Sequence, residues 1–450
     1  MARANDRSKA VNTKLPASSS RKTTQRERLI AGMVEAVNRN GYANASVAAV
    51  TKAAKVSKPT FYEYFGDREE CFAAALTDIH ARLLIEITAA IADQPPERAM
   101  SAGIGAMILF VGEEPGIMAF LTDEALAGSK AILDVRDRGI AEVAEMIDTA
   151  TQSATPSATA PDLPLEAVIG GLYRMIASRL RRGERATATL RESILEWLAH
   201  YEVPIGEHRW GSLGPHPAAV AGSHTSYPIH VPEPLPPGRP RVSQAEVEAN
   251  QRLRVVLAVA DLVDEKGYAA TTIVEIVKRS HIDLQTFYSL FSEKLDALIA
   301  VQDFGAEGML AITTSAYFTD APWVERYWEY GRVFLEALDA MPAMSRFMLV
   351  KAYAGGRRAA QRVEETYVPY AIFLREGLRS ATTPNPPSPL AMEAINATYF
   401  ELIYRHARTA EPYRFSGLLP ATANLWLCPY IGPTDSNRFI DEKLNALDSA

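Results

Sequence analysis

Residues 56–72 read VSKPTFYEYFGDREECF. Ser57, Lys58, Thr60, Tyr62 and Tyr64 put hydroxyl, ammonium and phenol donors on the outer side of one short helix, while Val47, Val50, Val56, Phe61 and Phe65 can face inward. Such donors on an exposed helix are the groups that reach base edges and phosphates in a DNA major groove. Arg68 opens the following helix, where its guanidinium and free helix-end amides could hold a phosphate. No Gly-rich phosphate loop, zinc-ligand spacing or nucleophile elbow occurs, so the expectation is no catalytic residue, no metal and no cofactor.

The elements that must position these donors are helical. Leu29, Ile30, Met33, Val34 and Val37 form one apolar stripe, ended by Asn40-Gly41. Ser46 can cap a short helix ending near Ala54, and Ser57 a third, with Pro59 tolerated in its first turn. Two short helices around a tight turn make a helix-turn-helix, whose second helix reads DNA. Longer helices follow, with breaks at Gln94-Pro95-Pro96 and Glu113-Glu114-Pro115-Gly116. Nothing alternates with period two.

The pattern occurs twice. Residues 41–72 align without gaps to 267–298, with eight of 32 positions identical. The same offset, within three residues, recurs at Pro115/Pro342, Glu166/Glu393 and Trp197/Trp426. A repeat of this size is a duplicated domain, each copy reading as about nine helices. Val255, Val256, Val259 and Val263 repeat the first stripe; Thr272 and Asp283 repeat the caps. Nine prolines between Tyr201 and Ser243 mark a linker. Its four histidines, His208, His216, His224 and His230, match no metal-ligand spacing.

The stretch VSKPTFYEYFGDREECF resembles the recognition-helix signature of the TetR family of bacterial transcription regulators. The resemblance covers about 45 residues per copy and implies an all-α fold. In that family a three-helix head reads DNA, and a larger helical body binds a small effector and dimerises through its last two helices. It implies that Ser57, Lys58, Thr60, Tyr62 and Tyr64 face DNA and that Arg68 holds the backbone; Ser46 and Pro59 complete this set. The family's turn glycine is Lys55 here and His281 in the second copy, so a left-handed residue is expected at each. The second copy also has Asp283, Leu284 and Leu290 in place of Ser57, Lys58 and Tyr64. Residues 241–294 carry seven Lys/Arg against eight Asp/Glu, so this head should grip phosphate weakly. Thr272, Gln285, Thr286, Tyr288 and Lys294 are its candidate contacts.

The formal charge of the 450 residues is -7, yet residues 1–45 hold nine Lys/Arg against three acids. A basic head on an acidic body points to a polyanion, and Arg21, Lys22 and Thr24 are candidates for an arm along the minor groove. The expected organisation is an arm at 1–22, a first head at 23–70, a helical body at 71–202, a linker at 203–242, a second head at 243–296 and a second body at 297–450. Two cysteines, no apolar run of membrane length and no secretory leader lead to an expected place in the bacterial cytoplasm, on the nucleoid, with no membrane partner.

The expected partners are a double-stranded DNA operator and a small apolar effector. Met107, Phe110, Phe120 and Tyr173 in one body, and Trp323, Tyr327, Trp328 and Phe334 in the other, are the candidate effector contacts; each also suits a bundle core. Arg179, Arg181, Arg182 and Arg185 read as a solvated helix end. Two heads in one chain allow a single-chain pseudo-dimer on an asymmetric operator, or a homodimer with four heads. The rival is a ligand-sensing or protein-interaction module of the same fold in which one or both heads no longer bind DNA.

Overall fold

The computed structural model describes residues 24–152, 164–184, 188–201, 232–234, 243–409 and 414–448. Arg21, Lys22, Arg185 and the four linker histidines lie outside these residues.

The first half runs α1 (Gln25–Asn40), α2 (Val47–Ala54), α3 (Lys58–Tyr64), α4 (Arg68–Ile91), α5 (Pro96–Glu113), α6 (Pro115–Ala119), α7 (Lys130–Gln152), α8 (Leu165–Arg181) and α9 (Ala188–Leu198). The second half runs α10 (Gln244–Lys266), α11 (Ile273–Ser280), α12 (Leu284–Leu290), α13 (Lys294–Tyr317), α14 (Trp323–Ala340), α15 (Pro342–Arg346), α16 (Arg357–Tyr367), α17 (Ala371–Gly377), α18 (Pro389–Thr409), α19 (Leu419–Ile431) and α20 (Pro433–Asp448). Among the described residues there is no strand, and the fold is all-α. The second half has more than the expected nine helices. A 3₁₀ turn at Val368–Tyr370, where Pro369 has no N–H to give, separates α16 from α17, and α20 follows the last repeated position.

Several corresponding helices of the two halves have equal lengths. α2 and α11 have 8 residues each, α3 and α12 have 7, and α4 and α13 have 24. Each short helix opened by a proline, α6 and α15, runs into a five-residue π-turn, Phe120–Glu124 in one half and Phe347–Lys351 in the other. The caps are local and follow the sequence. Thr24 and Ser243 each make a capping box with a glutamate three residues on. Gly41 and Gly267 end α1 and α10 at φ of 76° and 82°, where a side chain would be strained. Among the described residues, no single helix is long and apolar enough to cross a membrane.

The halves meet through α8 and α18. Gly170 and Gly171 let the two backbones approach: a Cβ on Gly171 would stand 2.6 Å from Thr398 Cα, and one on Gly170 2.5 Å from Glu401 Oε1. Glu401 is fully buried between two guanidiniums of the first half. Arg136 Nη1 and Nη2 donate to its two oxygens at 3.1 and 3.3 Å, and Arg174 Nε donates at 2.6 Å. Arg174 Nη1 also donates to the Tyr353 hydroxyl at 2.6 Å. Around this triad, Arg179 and Arg182 pair with Glu393, Arg181 with Glu364, Arg405 with Glu166, and Arg408 with Asp134 and Asp137. The Tyr201 hydroxyl donates to the Leu425 carbonyl at 2.6 Å, closing the far end. The arginine run is thus not a solvated helix end. Arg179, Arg181 and Arg182 face carboxylates that arrive from more than 180 residues away.

Removing one member of a buried charge cluster strands the others. Glu401→Gln is expected to lower stability by about 3–5 kcal/mol in urea denaturation, whereas replacing Arg136, Arg174 and Glu401 together by Met, Met and Leu should be about neutral. Burial alone would raise the Glu401 pKa, but Arg136 and Arg174 more than offset it and hold the carboxyl at about 2 against an ordinary 4.5. The folded value is the lower one, so this stabilisation is complete above pH 4.5 and is lost as pH falls toward about 2. An acid-unfolding series should show that loss in the native protein and lack it in the triple variant.

Candidate nucleic-acid interface

The first head is built from short-range rules. The Ser46 hydroxyl accepts from the Ala49 N–H at 3.2 Å and starts α2. Lys55 then takes the left-handed conformation, φ 55°, and turns the chain back toward Ser57. The Ser57 hydroxyl accepts from the Thr60 N–H at 3.2 Å, and Pro59 sits in the first turn of α3. Val50, Phe61 and Phe65 are buried, and Val47 and Val56 pack against the same core. This leaves Lys52, Lys55, Lys58, Tyr62 and Tyr64 exposed, with Tyr62 58% open. No ion pair holds the three lysines among the described residues. The Ser57 and Thr60 hydroxyls share a 2.9 Å hydrogen bond, so both are oriented before any ligand arrives.

Arg68 is placed differently from the expectation. Its Nη1 donates to the Tyr42 and Ala43 carbonyls at 2.9 and 3.1 Å, and its guanidinium lies 4.5 Å from the Tyr42 ring centre. The start of α4 is also occupied: Asp67 accepts from the Glu70 N–H, and Glu70 accepts from Gly66. Arg68 therefore ties the turn after α1 to α4, where free amides for a phosphate were expected. Thr24 serves as the α1 cap.

The second head keeps the backbone and loses the charge. His281 takes φ 52°, and Asp283 caps α12 by accepting from the Thr286 N–H at 2.7 Å. Thr272 is engaged in a capping box with Glu275. Lys266 pairs with Glu275 and Arg279 with Glu265; Arg254 donates to the His281 carbonyl. Lys294, a candidate DNA contact, is engaged within its own head. Its ammonium donates to the Tyr268 and Thr271 carbonyls at 2.9 and 2.8 Å and sits over the Tyr268 ring, and burial lowers its pKa. Gln285 and Tyr288 remain exposed, beside Leu284 and Val274.

The candidate effector residues are mostly core. Met107 and Phe120 are fully buried, and Phe120 stacks on Phe72 at 4.4 Å. Tyr173 is buried with its ring 6.4 Å from that of His80, whose pKa burial lowers to about 4. Trp323, Tyr327 and Trp328 pack among aromatic rings, including Tyr430, Trp426 and Phe439. Their size is used to fill the bundle. Two of the eight line open space. Phe110 borders a groove of about 750 Å³ between α4 and α5, under the Arg82 guanidinium. Phe334 borders a cavity of about 30 Å³, which Tyr353, Tyr367, Tyr370 and Arg174 also line. Among the described residues, no cluster of His, Cys, Asp and Glu could hold a metal. Cys71 and Cys428 are buried and form no disulfide.

A capped two-helix turn with an exposed Lys/Tyr face defines a helix-turn-helix DNA-binding protein. Residues 29–75 match the family described as bacterial regulatory proteins, tetR family. This match covers the first head only, whose helix-turn-helix is of the kind found in tetR-family DNA-binding regulators. No curated protein matches it. Solved structures similar to it include the fatty acid degradation regulator FadR from Bacillus halodurans, at 15% identity over 42% of this chain and 99% of that one, TM-score 0.35. A TetR family regulator from Marinobacter aquaeolei VT8 has 17% identity over 37% and 90%, TM-score 0.30. FadR from Bacillus subtilis, solved with stearoyl-CoA, has 17% identity over 38% and 96%, TM-score 0.31.

Lys58→Ala is expected to weaken DNA binding and to flatten the salt dependence by about one unit of slope, because one phosphate contact is lost. Lys294→Met should leave that slope unchanged and lower thermal stability, since its ammonium serves two carbonyls of its own head. A salt titration of both variants checks the pair.

Proposed function

We propose that the chain is a ligand-responsive repressor that acts as a single-chain pseudo-dimer on an asymmetric operator. Two TetR-like units, at 23–202 and 243–450, supply two heads joined by the proline-rich linker. The observation that carries the reading is the Lys52, Lys55, Lys58, Tyr62 and Tyr64 face on a TetR-family head, against a second head whose equivalent face offers Lys278, His281, Leu284, Tyr288 and Leu290. The first head takes the stronger half-site. Thr24, Ser46, Ser57, Pro59 and Thr60 flank its contacts, and the Arg21–Lys22 arm adds a minor-groove grip. The second head adds Gln285, Thr286 and Tyr288.

The pseudo-dimer reading is supported by charge. α8 and the turn after it bring Arg174, Arg179 and Arg182 to the Glu393 and Glu401 side of α18. Two copies of α8 face to face would set arginine against arginine, so each half prefers the other half of its own chain to a second first half. A small apolar effector acts in the helical bodies, with the groove at Phe110 and the cavity at Phe334 as its candidate places, and the protein works in the bacterial cytoplasm on the nucleoid.

Footprinting on the upstream DNA of its own gene, combined with the mass of the complex in solution, tests the reading. One chain per operator with unequal protection of the two half-sites is expected. Equal protection of a perfect palindrome by two chains would overturn it. Absence of any salt-dependent binding would favour the sensing-module alternative.

A further inference from the structure

The turn after α1, which positions the first head, is held from the other half of the molecule. The Tyr42 N–H donates to Glu124 Oε2 at 2.7 Å, and Glu124 Oε1 accepts from Arg357 Nη2 at 2.9 Å. Glu124 is 1% exposed and is the last residue of the first π-turn; Arg357 is the first residue of α16. A buried carboxylate needs a counter-charge, and here the cation comes from 233 residues away. The contact is reinforced by the Tyr42 ring, which packs 4.5 Å from Phe72.

No reciprocal arrangement occurs among the described residues. The second π-turn ends in Lys351, where the first ends in Glu124. The second head instead docks on its own half, through Arg346 donating to Asp264 at 2.9 and 2.6 Å. Control through this contact can therefore run one way only.

α16 also reaches beyond this contact. Val363, Thr366 and Tyr367 line the small cavity of the second body, and Glu364 on the same helix accepts from Arg181 and Ser178 of the first half. One helix of eleven residues runs from Arg357 to that cavity.

We propose that the second half is the regulatory subunit of the first head, with α16 as the lever and Arg357–Glu124–Tyr42 as the latch. This rests on the ligand-responsive reading above. Arg357 and Glu124 are positioning residues: neither touches DNA, and both set how firmly the Tyr42–Asn44 turn seats α2 and α3. Shifting α16 removes the guanidinium from Glu124, the stranded carboxylate is a poorer anchor for the Tyr42 amide, and the head is released.

Amide hydrogen exchange on the full chain tests this without knowledge of the effector. Arg357→Ala is expected to speed exchange at residues 41–46 about fivefold, the loss of roughly one hydrogen bond's stabilisation. Residues 267–272 of the second head should be unchanged, and Arg357→Lys should restore slow exchange. Unchanged exchange at 41–46, or equal acceleration in both heads, overturns the latch. DNA affinity is measured on the same samples. If the native chain binds no DNA, the regulator reading fails, while the exchange result still decides whether the second half holds the first head.

Discussion

Glu401 is the residue on which the arrangement of the molecule turns. It is a carboxylate without solvent, held by Arg136 and Arg174 from the other half of the chain. A buried triad of this kind contributes little net stability against an apolar core of equal volume, because desolvation of three charges offsets most of their attraction. Its effect is selective. It tolerates one partner and penalises others, since any pairing that removes Glu401 leaves buried Arg174 without a carboxylate and Arg136 with Asp137 alone. Gly170 and Gly171 make the triad possible by bringing α8 close enough to α18 for short side-chain reach. The surrounding pairs at Glu393, Glu364, Glu166 and Asp134 extend the same preference along both helices.

The two heads show how one backbone can be kept while its chemistry changes. Both have a capped start, a left-handed residue in the turn and a buried phenylalanine in the seven-residue helix. All of these are satisfied locally, so they survive the exchange of Lys58 for Leu284. The charges are freer to change. In the first head Lys52, Lys55 and Lys58 point to solvent, whereas in the second most cations are spent on their own carbonyls and carboxylates. Phosphate neutralisation depends on the first situation and is weak in the second.

Arg68 and Lys294 illustrate where a local reading stops. A cation at the start of a helix is a sound candidate for a phosphate contact. Both positions instead close the same internal bridge, from the first turn of the long helix to the carbonyls of the preceding loop. The aromatic positions had the same ambiguity: Trp323, Tyr327 and Trp328 have the composition of a ligand site and the burial of a core. Periodicity places a side chain on the inner face of a helix; it does not say whether space remains there once the neighbours have packed.

By itself the sequence determined the helices of the first head, the caps, the left-handed turns at Lys55 and His281 and the exposed polar face at Ser57–Tyr64. Each of these depends on residues within a few positions of one another, so the physics is written in adjacent letters. Only the tertiary structure decided that Arg174, Arg179, Arg181 and Arg182 meet carboxylates of the other half, and that Glu124 is shared between Tyr42 and Arg357. Those pairings join residues 82 to 233 positions apart. Charge pairing over such separations depends on which helix faces are brought together, and that choice belongs to packing, not to any local run of the chain.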